Sequence, residues 1–155
     1  MLYELSQRKI DEENQQQIIY LLSVCMWTDG DHQQLLRKAS AQYEQYRTVP
    51  ERHLYGWLDD DMGAFVGVLG ITIHNTNTDE KEATCHIISH LSVLPELQTR
   101  GIGRRMLDGY VQKHPGIDVY AETDHDAVEF YRRCGFEIVA LGEYYPGVMR
   151  FGCTR

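Results

Sequence analysis

No two of the four cysteines stand at C-x-x-C spacing, and the seven histidines form no H-E-x-x-H or equivalent pattern. The first absence removes a redox or zinc motif. The second removes a common metalloenzyme signature, so no metal is expected. Cys25, Cys85, Cys134 and Cys153 read instead as reduced, mostly buried thiols of a cytoplasmic protein. No apolar run approaches the ~20 residues that cross a bilayer, so no membrane partner is expected. Met1-Leu2-Tyr3-Glu4-Leu5 carries no basic stretch followed by an apolar one, and no secretory leader is expected either. Positive charge is also scarce: 15 Lys and Arg stand against 23 Asp and Glu, for a net charge of −8. A phosphate backbone needs a basic face, so nucleic acid is disfavoured as a partner. A cationic substrate would be welcome, although solubility alone explains the same charge.

The chain also lacks internal repeats and low-complexity linkers, and its 155 residues suit one domain, 1–155, with a real core. Met1 to Leu5 suits an edge strand. Asp11 to Val24, with Ile18, Ile19, Leu21 and Leu22 in a polar setting, reads as a helix. Asp29-Gly30-Asp31 breaks it, and Asp31 suits the N-cap of a second helix through about Tyr46. Leu54 to Leu58 and Ala64 to Ile73 read as a hairpin around Asp59-Asp60-Asp61-Met62-Gly63. Gly67 and Gly70 within it suggest a bulge or a close backbone approach. Asn75 to Glu82 reads as a polar connection to a central strand, Ala83 to Val93. Ile117 to Ala121, Phe136 to Leu141 and Val148 to Cys153 supply further strands.

Two blocks carry the chemistry. Gln98-Thr99-Arg100-Gly101-Ile102-Gly103 follows the central strand and a Pro95 turn, then opens into a helix-like stretch whose apolar face is Ile102, Met106, Leu107, Tyr110 and Val111. A helix N-terminus presents unpaired N–H groups and partial positive charge, and glycines let a phosphate approach them. A Walker loop is absent, and Met106 stands where a Rossmann fingerprint needs Gly or Ala. The second block, Asp124-His125-Asp126-Ala127-Val128-Glu129-Phe130-Tyr131-Arg132-Arg133-Cys134-Gly135-Phe136, reads as a helix with Ala127, Tyr131 and Cys134 in phase and Gly135 as its C-terminal cap.

Together the blocks resemble the two motifs of the GNAT superfamily of acetyl-CoA-dependent N-acetyltransferases: (Gln/Arg)-x-x-Gly-x-Gly, and Asn-x-x-Ala-x-x-(Phe/Leu)-Tyr-x-x-x-Gly-Phe with Asp124 in place of Asn. The resemblance implies an α/β fold with a mixed sheet of about seven strands, splayed at its centre and flanked by about four helices. It implies acetyl-CoA as donor, with the pyrophosphate on backbone N–H groups from Gln98 through Thr99, Arg100, Gly101, Ile102 and Gly103 to Arg104, and with Arg100, Arg104 and Arg105 adding charge. Leu91 and Val93 would offer backbone groups to the pantetheine arm, as a strand edge does to a peptide. The Leu91 N–H would also polarise the acetyl carbonyl. Asp124 and Ala127 occupy cofactor-binding positions of the second motif. Tyr131 matches the tyrosine near the thioester sulfur, where it would protonate the departing thiolate.

Many members place a base on the central strand four or two residues before the Leu91 position. Ile87 and Ser89 stand there and neither is a base. His86 and His90 should face the other way by strand alternation unless a bulge intervenes; Glu122, Glu143 and Tyr144 are further candidates. Trp27, Thr28 and Asp29 on one side and Glu143, Tyr144 and Tyr145 on the other mark the expected acceptor region, in which Trp27, Tyr144 and Tyr145 are the substrate candidates. The expected reaction is direct attack on the thioester by a primary amine, of a small molecule rather than a protein. An acyl-CoA-binding or regulatory module with impaired catalysis is the alternative, and a partner-binding domain with relic motifs is a third. An exposed edge strand would allow a homodimer.

Overall fold

The computed structural model describes residues 1–27, 29–78 and 81–155. Thr28, named with the acceptor region, lies outside them, as do Asp79 and Glu80 of the expected connection.

Seven strands and four α-helices run through the described residues: β1 (Leu2–Glu4), α1 (Glu12–Val24), α2 (His32–Thr48), β2 (Arg52–Asp59), β3 (Ala64–Thr78), β4 (Lys81–Val93), α3 (Ile102–Lys113), β5 (Asp118–Thr123), α4 (Val128–Arg133), β6 (Glu137–Tyr145) and β7 (Val148–Thr154). Both first helices begin where an aspartate caps them. Asp11 accepts from the Asn14 N–H at 2.9 Å, and Asp31 accepts from the Gln34 N–H at 2.8 Å. Ile18, Leu21 and Leu22 of α1 and Ala39, Tyr43 and Tyr46 of α2 are buried, as an apolar helical stripe requires. In α3 the buried residues are Ile102, Met106, Leu107 and Tyr110.

The strands form one sheet in the order β1-β2-β3-β4-β5-β7-β6. Among the described residues only β4 and β5 pair in parallel; the other neighbours are antiparallel. The expected polar connection from Asn75 to Glu82 is largely strand, because the β3–β4 ladder continues from Asn75↔Thr84 to Thr78↔Lys81. The polar sequence of that stretch hid the strands, since ladder pairing is made by the backbone and needs no apolar alternation.

Two features of β4 shape the molecule. Gly70 pairs with His90 but Ile71 pairs with Ile88, so Ser89 is an extra residue, a β-bulge. Beyond the bulge the side-chain alternation is reversed. His86 meets Tyr110 of α3, with 2.7 Å between Nδ1 and Oη. His90 meets Tyr46 of α2, with 2.6 Å between the same atom types. The alternation argument for His90 therefore fails: the bulge turns it onto the face of Ile87, while His86 stays on the opposite one. The second feature is that β4 pairs with β5 only from Cys85 to Ile87, opposite Asp118 to Tyr120. Past those three pairs the strands part, and a wedge opens between Ile88–Val93 and Ala121–Thr123.

Helices α1 and α2 pack on β2, β3 and β4, while α3 packs on β1, β3 and β4 from the other side. Gly67 and Gly70, three residues apart and so on opposite faces, each admit one helix. A Cβ at Gly67 would lie 2.8 Å from the Met106 sulfur, and one at Gly70 would collide with the Tyr46 hydroxyl. α4 packs on β6 and β7. It shares the α3 side, since Phe130 lies against Gly103. The face of β5, β7 and β6 turned away from α4 is open, with Glu122, Val139 and Leu141 exposed.

Overpacking a close approach costs about 1–3 kcal/mol, so Gly70→Ala is expected to lower stability by that amount in chemical denaturation. A variant as stable as wild type would show that Tyr46 can withdraw freely. A pH effect is also expected. Burial, aided by Arg52, holds the His90 imidazole down to about 4, and burial lowers His86 and His114 as well. Between about 4 and 6.5 the unfolded chain binds more protons than the folded one. Stability is therefore full above 6.5 and is lost as pH falls toward 4, by order 3 kcal/mol for His90. His90→Gln should flatten that loss in denaturation midpoints measured from pH 7 to 4.5; an unchanged slope would contradict the assignment.

Candidate active site

The wedge exposes backbone. Leu94 N–H bonds to the Val66 carbonyl at 2.9 Å. Following the β3–β4 register in steps of two makes Ser92/Val68 and His90/Gly70 the other hydrogen-bonded pairs. Leu91 and Val93 therefore turn their N–H and C=O away from β3, toward the wedge. Gln98 Nε2 donates to the Val93 carbonyl at 3.2 Å, so the Gln98 side chain braces the edge. The Cys25 thiol, one residue past α1, donates to the Leu22 carbonyl at 3.3 Å. Sequence reasoning grouped Cys25 with mostly buried thiols, but it is exposed, because it lies beyond the helix stripe that packs on the sheet.

Beyond Val93 a single 3₁₀ turn, Pro95–Leu97, leads into the glycine loop. Thr99 (φ 64°) and Gly101 (φ 77°) both take left-handed backbone. Gly101 is the N-cap of α3 and no side chain caps it. The first helical bond runs from Arg105 N–H to the Gly101 carbonyl at 3.0 Å. The N–H groups of Ile102, Gly103 and Arg104 therefore lack helical acceptors and face out at the positive end of the helix. The Gln98 N–H does not join them, because it bonds to the Pro95 carbonyl. Gly103 has a packing role: a Cβ there would lie 3.2 Å from the Phe130 ring.

A cleft of about 660 Å³ runs from the wedge to this helix start. Leu91, Val93, Gln98, Thr99, Gly101, Ile102, Gly103 and Arg104 line it. Arg100, Asp124, Ala127 and Tyr131 are not among its lining residues. Arg104 lies 3.7 Å from Asp108 on its own helix. Arg105 stacks over Trp57 and does not line the cleft. Arg133 does line it, a cation that the motif comparison passed over.

Tyr131 is 7% exposed and packs edge-on against Phe130 and Phe136. Burial, helped by nearby Cys153, Cys134 and Cys25, pushes its phenol well above the ordinary value. It is therefore a proton carrier at neutral pH. Asp124 has a local task. Its Oδ1 accepts from the Asp126 N–H at 3.0 Å, and its carbonyl accepts from Val128 N–H. Ala127 is the N-cap of α4. His125 stacks against Phe151 at 5.3 Å.

On the α1–α2 side, His90 and Tyr46 form a closed pair beneath the bulge. The Tyr46 phenol, raised to about 12 mainly by burial, donates to a neutral imidazole. Trp27 (81% exposed), Tyr144 and Tyr145 stand out from the surface, and no ring contact among the described residues joins Trp27 to either tyrosine. On β5, Tyr120 Oη donates to Glu122 at 3.0 Å.

Residues 17–136 match the family model described as the Acetyltransferase (GNAT) family. Among solved structures, an aminoglycoside 6'-N-acetyltransferase complexed with coenzyme A is 19% identical, with TM-score 0.70 over 100% of this chain and 96% of that one. Arabidopsis thaliana NAA60 in complex with acetyl-CoA is 15% identical, with TM-score 0.68 over 100% and 98%. The glucosamine-6-phosphate N-acetyltransferase of Arabidopsis thaliana is 12% identical, with TM-score 0.60 over 94% and 99%. At these identities the likeness is one of fold. No curated protein matches the chain in sequence.

Proposed function

This chain belongs to the acetyltransferase (GNAT) family, and from that premise we propose that it transfers the acetyl group of acetyl-CoA to a primary amine of a small molecule, by direct attack in a ternary complex. The observation that carries the reading is one continuous surface. The wedge-facing backbone of Leu91 and Val93 leads through the cleft to the uncapped N–H groups of Ile102, Gly103 and Arg104. These groups fit acetyl-CoA: a strand edge suits amides, and an uncapped helix N-terminus suits a pyrophosphate.

Acetyl-CoA supplies an activated acetyl group as a thioester. The chain supplies position and protons. Val93 and Gln98 brace the edge, Thr99, Arg100 and Gly101 shape the turn, and Arg104 and Arg133 add positive charge. The Leu91 N–H, turned toward the wedge, is aimed to stabilise charge on a carbonyl oxygen. Tyr131, kept protonated by burial, is the donor for a departing thiolate. Ala127 and Asp124 set the entry of α4 and so the place of Tyr131. Two of the neighbours act, by name, on aminoglycosides and on glucosamine 6-phosphate, which supports an acceptor of that size. Trp27, Tyr144 and Tyr145 flank the open side as its outer contacts.

Calorimetric titration with acetyl-CoA is the first test. Gly101→Glu puts negative charge at the helix start and is expected to weaken binding by about 100-fold. Gly101→Asn tolerates the left-handed backbone without the charge and should lose far less. Equal binding by all three proteins, each folded by circular dichroism, would refute the cradle. Tyr131→Phe should bind acetyl-CoA as wild type does and acetylate amines at least about a hundred-fold more slowly. Wild-type binding with no thiol release on any amine would instead favour an acyl-CoA-binding module.

A further inference from the structure

We propose that Glu122 receives the acceptor's ammonium group and takes its proton, with Tyr120 as the positioning residue for its carboxylate. The inference rests on the acetyltransferase reading above and supplies the base which that reading leaves open.

Register places Glu122. The β4–β5 ladder ends at Ile87↔Tyr120. Ala121 follows, buried at 1% exposure on the α3–α4 side. Glu122 is then the first β5 side chain past the last pair to point to the open face. It stands on the lip of the wedge, across from Ser89 and His90 and on their side of the sheet.

A missing side chain holds it there. Gly152 pairs with Glu122 across β5 and β7. A Cβ at Gly152 would lie 3.2 Å from the Tyr120 hydroxyl, so the glycine lets the Tyr120 ring fold over β7. From that position Oη donates to Glu122 Oε1 at 3.0 Å. Burial, with Glu122 adding to it, raises the phenol to about 12, so it remains the donor. One carboxylate oxygen is fixed by this bond and the rest of its acceptor capacity faces outward. Glu122 is exposed, and among the described residues it forms no ion pair. Val139, Leu141 and Tyr144 are exposed on or beside the same face and suit the apolar body of an amine.

On the central strand, Ile87 and Ser89 offer no basic group. His86 is buried on the far face against Tyr110. His90 is held neutral with its Nδ1 accepting from Tyr46. The titratable groups on the face of Glu122 include Asp118 and Tyr120 on β5, Cys85 on β4, Glu137, Tyr144 and Tyr145 on β6, Arg150 on β7, and His90 with Tyr46 and Arg52 across the wedge.

The protons balance. The ammonium nitrogen gives one proton to Glu122, which releases it to water. The neutral nitrogen then forms the N–C bond as the C–S bond breaks. Tyr131 gives a proton to the sulfur, and the second proton shed by the nitrogen restores Tyr131 through water. The products are an amide, a thiol and one proton in solution.

The test compares wild type, Glu122→Gln, Glu122→Asp and Tyr120→Phe by thiol release, using tyramine, spermidine, glucosamine, kanamycin and a short peptide with a free amino terminus. Glu122→Gln is expected to bind acetyl-CoA normally, to lose at least about 100-fold in kcat/KM on every accepted amine and to lose the acidic limb of the pH profile. Glu122→Asp should restore part of the rate, and Tyr120→Phe should shift the acidic limb with a smaller loss. Wild-type kcat/KM in Glu122→Gln, or a loss matched by lost acetyl-CoA binding, overturns the proposal. A wild type that binds acetyl-CoA but acetylates none of the five probes overturns it too. Failure of wild type to bind acetyl-CoA overturns the underlying reading instead.

Discussion

β4 and β5 hydrogen-bond over three residue pairs and then separate, and the candidate site depends on that separation. Backbone N–H and C=O groups in a sheet centre are ordinarily paired, because an orphan in a dry interior is costly. Here Leu91 and Val93 turn theirs into a cleft, where a side chain, water or a ligand can meet them. The bulge at Ser89 bends β4 at the place where the ladder fails. The α3 start, with its uncapped amides, then lies at the far end of the same cleft. A strand edge and a helix end are each weak recognition elements; the parting of two strands joins them into one surface.

Glycine governs how closely the layers approach that wedge. Gly67 admits Met106, Gly70 admits Tyr46, Gly103 admits Phe130 and Gly152 admits Tyr120. In each case an absent Cβ lets a large side chain reach over backbone. At Gly70 the result is a tyrosine driven onto His90 beneath the bulge, so that burial keeps the imidazole neutral. Stability near the site therefore depends on pH through a group that takes no part in the proposed chemistry. At Gly152 the same device produces an oriented carboxylate on the open face.

Much of this was legible beforehand. The Asp31 cap, the apolar stripes of α1, α2 and α3, the glycine loop and the Tyr131 helix are local signals, because capping and helical phase act within a few residues. The misreadings share a cause. The β3–β4 ladder continues to Thr78↔Lys81 through polar residues, so no apolar alternation marks it. Arg105, adjacent to Arg104, turns to Trp57. The Gln98 amide, one residue from the loop's left-handed turn, bonds within the preceding turn. Each depends on what a residue meets across the fold.

The sequence by itself determined the order of elements, the family and the loop that opens α3, since these rest on spacing and on short-range steric and hydrogen-bonding preferences. Only the tertiary structure decided which way β4 presents its side chains. One extra residue at Ser89 reverses the alternation, and an extra residue is defined only by its partner strand. The same holds for the Tyr120–Glu122 pair. A bulge, a wedge and a bare glycine acquire meaning only from what packs opposite them, and that is settled by strand register across dozens of residues rather than by any stretch of chain.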